Sequence, residues 1–176
     1  LGELARTGRD KATFFFSPPL ASFGAWLEQL LAESTGKEGR GIVPIVGEPP
    51  GSPESYGDDR VFIAVGLGGD RPQEELLAAL RRARHPVLKI TLADPYELGG
   101  QIFIWEMATA VAGRRLGINP FDQPDVEAAK ALAREMTAAY RETGRLPGEK
   151  PAWSSAQWDI YGEHPSLADF LAQGKA

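Results

Sequence analysis

The 176-residue chain has no cysteine. That absence excludes thiol nucleophiles, thiolate zinc sites and disulfide scaffolds together. Histidine is nearly missing as well, and the two that are present are too few for a multi-histidine metal site. Positive charge is in deficit: 19 Lys and Arg stand against 24 Asp and Glu, for a net charge of −5. That is the wrong sign for a surface built to hold nucleic acid. No apolar run approaches the roughly 18 residues of a membrane helix. The opening stretch from Leu1 to Lys11 is mixed polar and charged, without the apolar core of a secretory leader. A cytoplasmic protein with no membrane or nucleic-acid partner is the expectation. The chain opens on Leu1 rather than Met, and reads as a piece of something longer.

What is there is ordinary globular material, 43% hydrophobic and 24% charged, at a length suited to one domain. Glycine and proline are plentiful, at 20 and 14 residues, which implies many tight connections. Four short runs rich in Val, Ile and Phe, at 13–17, 42–46, 60–66 and 86–92, lack polar alternation. Such runs suit parallel strands buried on both faces. Between them the spacing predicts helices over 20–35, 73–84, 97–116 and 124–143. The third is apolar nearly all round (Ile102, Phe103, Trp105, Met107, Val111) and should be largely buried. Ser17 with two prolines is a start signal for the first, and Gly36 with Lys37 a stop; Asp122 or Gln123 would cap the last. Strands alternating with helices imply an α/β fold, a three-layer, doubly wound, mostly parallel sheet flanked by helices. The boundary falls near residue 143. Residues 144–176 form an irregular extension in which Trp153 and Trp158 should pack on something, with a short helix over 166–173.

Three segments could carry chemistry. Val65-Gly66-Leu67-Gly68-Gly69 follows a strand, with Asp94 closing the next one, as in a dinucleotide fingerprint. Arg71 and Pro72 break that pattern, and a glycine turn with Asp70 capping the following helix is the simpler reading. In the second segment Gln29 and Glu33 lie four apart on one helical face, opposite Leu27, Leu30 and Leu31. Glu33 falls in the last turn, where the negative end of the helix dipole opposes its charge, a placement that suits a general base. On spacing alone an ordinary exposed glutamate is the better reading. In the third, Asn119–Gln123 is a turn cluster feeding a helix, and Lys130 lies almost two turns in. That lysine could reach past Ala129 and Ala133 to a ligand, or pair on the surface with Glu127 or Glu135, and periodicity alone favours the surface pair.

Three motifs carry a resemblance. Gln29 to Lys37 (QLLAESTGK), the loop Gly47-Glu48-Pro49, and Ile118 to Lys130 (INPFDQPDVEAAK) resemble the C-terminal sugar-isomerase (SIS) domain of phosphoglucose isomerase, also called glucose-6-phosphate isomerase. The likeness runs from about Arg9 to Arg134. Intervening wording, such as Ser52-Pro53-Glu54 and the helix from Leu98 to Gly117, is most similar to the isomerase part of transaldolase–phosphoglucose isomerase fusion proteins. The resemblance implies an SIS-type, flavodoxin-like fold and interconversion of glucose 6-phosphate and fructose 6-phosphate through a cis-enediol. It implies Glu33 as the carboxylate moving a proton between C1 and C2, and Lys130 beside the ring oxygen. Gln29 and Gln123 would line the sugar phosphate. No metal and no organic cofactor is implied. The implied partners are the sugar phosphate, a preceding SIS domain of the same polypeptide and a second copy in a homodimer.

Two departures follow from the resemblance. The family's histidine after the Gly-Glu-Pro loop is missing between Gly51 and Arg60, which leaves ring opening to Tyr56, Glu54 or Lys130, or to open-chain sugar. His85, just before Pro86, suits a structural turn, and His164 lies in the extension. The family's phosphate loop and an enediolate-holding arginine belong to the preceding domain, so this chain would hold half an active site and be inactive alone. A non-catalytic sugar-phosphate-binding SIS module of regulatory type is the alternative.

Overall fold

The computed structural model describes every residue except 147, 149, 163–165, 169–170 and 172–176, with the side chain of residue 125 left aside. His164 therefore lies outside the described residues, as does part of the helix expected over 166–173. The chain forms two compact units, Leu1–Gln123 and Pro124–Ala176.

The first unit runs α1 (Gly2–Arg6), β1 (Lys11–Phe16), α2 (Ala21–Thr35), β2 (Val43–Val46), β3 (Arg60–Leu67), α3 (Glu74–Arg82), β4 (Val87–Leu92) and α4 (Glu97–Leu116). The strands form one parallel sheet in the order β2-β1-β3-β4. This is the doubly wound arrangement the alternating elements predict. Residues of opposite parity on β1 and β3 feed two cores. Ala12, Phe14, Val61, Ile63 and Val65 meet Leu27 and Leu31 of α2 and Trp105 of α4 on one face. Phe15, Phe62 and Ala64 meet Leu77 and Leu80 of α3 on the other. Burial on both faces is why these strands show no polar alternation. Each such large side chain contributes about 1.5–3 kcal/mol relative to its exposed state.

Local chemistry departs from the sequence expectations at several points. Pro18–Leu20 form a 3-10 turn ahead of α2. Ser17 does not cap that helix; its buried hydroxyl accepts the Leu67 N–H at 3.0 Å, tying the end of β1 to the end of β3. Asp70 does not cap α3, whose N-cap position is Gln73. Instead the chain doubles back on Gly66, where a Cβ would collide with the Asp70 carbonyl oxygen. Glycine there is demanded by close backbone approach, a structural reason that needs no nucleotide. His85 is buried with its ring edge-on to Phe62 at 5.3 Å.

The expectation for α4 is corrected. Trp105, Thr109, Ala112, Gly113 and Leu116 are buried, but Phe103, Ile104, Met107 and Val111 are more than half exposed. A helix laid on a sheet turns only one side toward it; apolar residues around the rest of the cylinder reveal nothing about what covers them. The sequence also missed α1. Gly2 fits so closely that a Cβ would lie 2.7 Å from the Ala112 Cα. Beside it the Arg6 and Arg115 guanidinium groups hold the Glu3 carboxyl down at about 2.

The second unit contains α5 (Pro124–Thr143) and a short antiparallel pair, β5 (Trp153–Ser154) with β6 (Asp159–Ile160). Trp153 stands opposite Ile160 in that pair, whereas Trp158 is two-thirds exposed. Among the described residues no helix is long and apolar enough to cross a membrane.

Candidate functional site

Because β1 and β2 are parallel, α2 must run back between them. Its C-terminal end therefore lies at the edge where the strands begin. Two anchors fix it there. Leu27 and Leu31 are fully buried beneath it. Thr35, also fully buried, donates its hydroxyl to the Leu31 carbonyl at 2.6 Å and accepts the Ile42 N–H at 2.9 Å. The chain then reverses through Glu38 and Gly39, both at positive φ (55° and 70°), with Lys37 and Arg40 exchanging backbone hydrogen bonds. Two positive φ values in succession define a type I′ turn. Gln29 and Glu33 project from this fixed helix end, exposed and half-buried respectively. Neither side chain has an ion pair or hydrogen bond among the described residues. A half-buried carboxylate with unused lone pairs, on a rigid helix, is able to accept a proton from a bound molecule.

The loop Gly117–Gln123 meets the same edge from α4. Gly117 takes φ 75° and closes the helix, with the Ile118 N–H reaching back to the Gly113 carbonyl at 3.0 Å. Ile118 enters the core. Pro120 lies flat on Gly113, where a Cβ would come within 2.8 Å of its ring. Asn119 accepts the Phe121 N–H through Oδ1 and donates from Nδ2 to Asp122 Oδ2, each at 3.1 Å. Asp122 is thus engaged within the loop. Phe121 and Gln123 are left displayed to solvent.

Lys37 joins the two segments. Its side chain is only 6% exposed. Nζ donates to the Asn119 carbonyl at 2.8 Å, to the Asp122 carbonyl, and to Asp122 Oδ1 at 3.2 Å. The end of QLLAESTGK and the start of INPFDQ are therefore held against each other across more than eighty residues of chain. Sequence reasoning read Lys37 as a stop signal, as the end of the first motif and, with Arg40, as a fallback phosphate ligand, not as a link between segments. The available clue was a cation just past a helix C-terminus, where carbonyls and the dipole attract it.

The Gly-Glu-Pro loop has a structural function. Glu48 accepts both ends of the Arg60 guanidinium, at 2.8 and 3.1 Å, while Arg60 also donates to Thr13 Oγ1 at 2.8 Å and lies 5.4 Å above the Tyr56 ring. The Tyr56 hydroxyl accepts the Gly51 N–H at 2.7 Å, and its ring packs edge-on to Phe62. Of the three groups considered for ring opening, Tyr56 is therefore built into the loop. Glu54 is exposed, its carboxyl held below the usual range by its own backbone N–H and the Ser52 hydroxyl. Lys130 belongs to the second unit, where it donates to Glu127 Oε1 at 2.8 Å on an exposed helix face.

Cavities lie at both edges of the sheet. Where β1 and β2 end, one of about 330 Å3 is lined by Phe16, Val46, Glu48, Pro49 and Pro72. Where they begin, cavities of about 340 and 300 Å3 share Asp10, Gly39, Arg40 and Gly41, and the first also touches Ala32 and Gly36. Open α/β sheets commonly take ligands at the carboxyl ends of their strands. Glu33 is at the opposite edge, in the last turn of α2, and lines neither of the second pair.

Fold and site together define an α/β domain with a carboxylate at a clamped helix end. No protein-family model matches the chain. It is 36% identical over 149 residues to a probable glucose-6-phosphate isomerase of Methanococcus maripaludis, covering 66% of this chain and 34% of that protein. It is 30% identical over 154 residues to the glucose-6-phosphate isomerase of Lactobacillus delbrueckii subsp. bulgaricus, covering 65% and 34%. The chain thus spans about a third of the length of these curated relatives. Among solved structures, a hypothetical protein from Thermus thermophilus superposes with a TM-score of 0.58 at 22% identity, over 78% of this chain and 44% of that one. That likeness establishes the fold.

Proposed function

We propose that the chain is the second sugar-isomerase domain of a phosphoglucose isomerase, with residues 1–143 as the domain and 144–176 as an extension. The observation that carries this reading is the junction made by Lys37, which sets the helix end bearing Glu33 beside the loop bearing Gln123. The names of the curated relatives supply the substrate class, glucose 6-phosphate, and the motif resemblance adds fructose 6-phosphate as its ketose counterpart.

On this reading Glu33 removes the proton from C2 of the open-chain aldose. The C–H electron pair becomes the C1–C2 double bond and the C1 carbonyl oxygen takes up a proton to become an enediol hydroxyl; the C2 hydroxyl then gives up its proton, its O–H pair becomes the C2 carbonyl bond, and the C1–C2 double-bond pair takes the proton held by Glu33 onto C1. Gln29 and Gln123 hydrogen-bond the sugar phosphate, and Lys130 serves the ring oxygen during ring opening. An enediolate can be stabilised by fixed donors alone. The phosphate is held by a preceding domain of the same polypeptide, the working enzyme is a homodimer, and the parent protein is of the transaldolase-fused type. Glu33→Gln in the full-length protein keeps shape but removes the proton acceptor. Turnover should fall by about 10²–10⁴ with substrate binding little changed. Turnover within tenfold of the parent would remove Glu33 from this role.

A further inference from the structure

The Lys37 ammonium has more coordination than a surface lysine needs. Three oxygens converge on it, two of them backbone carbonyls from a loop more than eighty residues away, and its side chain is 6% exposed. An ammonium carries three protons and no lone pair, so this arrangement uses its donor capacity in full. Lys37 is thereby unable to serve as a free cation for an anionic ligand. We infer that Lys37 is a positioning residue: its ammonium clamps the Asn119–Gln123 loop to the end of α2 and so fixes where Gln123 is presented relative to Glu33.

Three further observations support a clamp rather than an incidental pair. The type I′ turn at Glu38-Gly39 and the close approach of Gly41 to Gly36, where a Cβ would lie 3.0 Å from the Gly36 Cα, fix the backbone on which Lys37 is carried. The Asn119 and Asp122 side chains bond each other, so the loop is preformed around the ammonium. Finally, Gln123 itself is exposed, with no side-chain hydrogen bond among the described residues, so the neighbouring clamp supplies its positional restraint.

The positioning role rests on the isomerase reading; the clamp itself does not. The experiment therefore uses the 176-residue chain and no activity. Backbone amide exchange and the Gln123 side-chain amide resonances are recorded for the parent, Lys37→Met, Lys37→Arg and Asp122→Asn. Lys37→Met should raise exchange at Ile118 and Phe121, whose N–H groups are held by the Gly113 carbonyl and by Asn119 Oδ1, by at least about 30-fold relative to Ile63 and Val65 of β3, and move or broaden the Gln123 resonances. Lys37→Arg should restore part of the protection. Asp122→Asn, which keeps the carbonyl acceptors, should give a smaller rise and covers the case in which Lys37→Met does not fold. Unchanged loop protection in Lys37→Met, or in Asp122→Asn where Lys37→Met does not fold, overturns the clamp. If Glu33→Gln retains turnover while loop exchange rises as stated, only the isomerase reading falls; the reverse outcome removes only the clamp.

Discussion

Two lysines close the two long motifs, and they are held in opposite ways. Lys37 is buried, and its three acceptors come from a loop 82 and 85 residues distant in sequence. Lys130 is more than half exposed, and its partner among the described residues, Glu127, is three residues away on the same helix. In the sequence both read as a positive charge at a helix, and the family resemblance singled out Lys130. The structure shows that the lysine with the demanding geometry is the other one. Motif membership identifies which residue types a site retains; it does not separate a group that meets the substrate from one that holds the site in shape.

That contrast can be tested by its energetic consequences. The largest effect belongs to Lys37→Met, which leaves three oxygens without their donor. Hydrogen bonds to a charged group are each worth about 1.5–3 kcal/mol, and the half-exposed Asp122 carboxylate can be rehydrated, so a loss of about 2–4 kcal/mol is expected from urea unfolding of the sheet-bearing unit. A loss below about 1 kcal/mol would place Lys37 in the same class as Lys130.

Thr35→Val comes next and probes the other anchor of the same helix end. The change keeps shape but removes the acceptor of the buried Ile42 N–H. A cost of about 1–3 kcal/mol follows from leaving that donor unsatisfied. An unchanged midpoint would mean that α2 is held by Leu27 and Leu31 alone. Lys130→Met should have the smallest effect, within about 0.5 kcal/mol, because exposed pairs one helical turn apart contribute little. A loss comparable to that of Lys37→Met would erase the distinction drawn between the two sites.

Much of the architecture was legible beforehand for a definite reason. Unbroken Val, Ile and Phe runs between amphipathic segments leave little choice but parallel strands under crossover helices. The expected bounds of α4 and α5 coincide with those observed, and those of the four strands lie within two residues. The failures share a different cause. α1 is five residues long and is made by Gly2 packing against Ala112 and by Glu3 meeting Arg115, partners no local pattern contains. The exposed face of α4 was misread because apolar composition does not reveal which side a neighbour covers. Asp70 was assigned as a cap from local chemistry, yet its backbone was taken by the turn over Gly66; Ser17 does mark the start of the Pro18–Leu20 turn, but its hydroxyl serves β3.

The sequence by itself determined the element types, the parallel sheet and the motifs bearing Gln29, Glu33, Gln123 and Lys130, because hydrophobic period and residue identity are local properties. Tertiary structure alone decided which of those groups are held and by what. It committed Glu48 to Arg60, Tyr56 to Gly51 and Asp122 to Lys37, leaving Glu33 and Gln123 with no such partner among the described residues. The physical reason lies in directional interactions: a hydrogen bond or ion pair between residues far apart in sequence exists only once the fold has brought a donor to within about 3 Å of its acceptor.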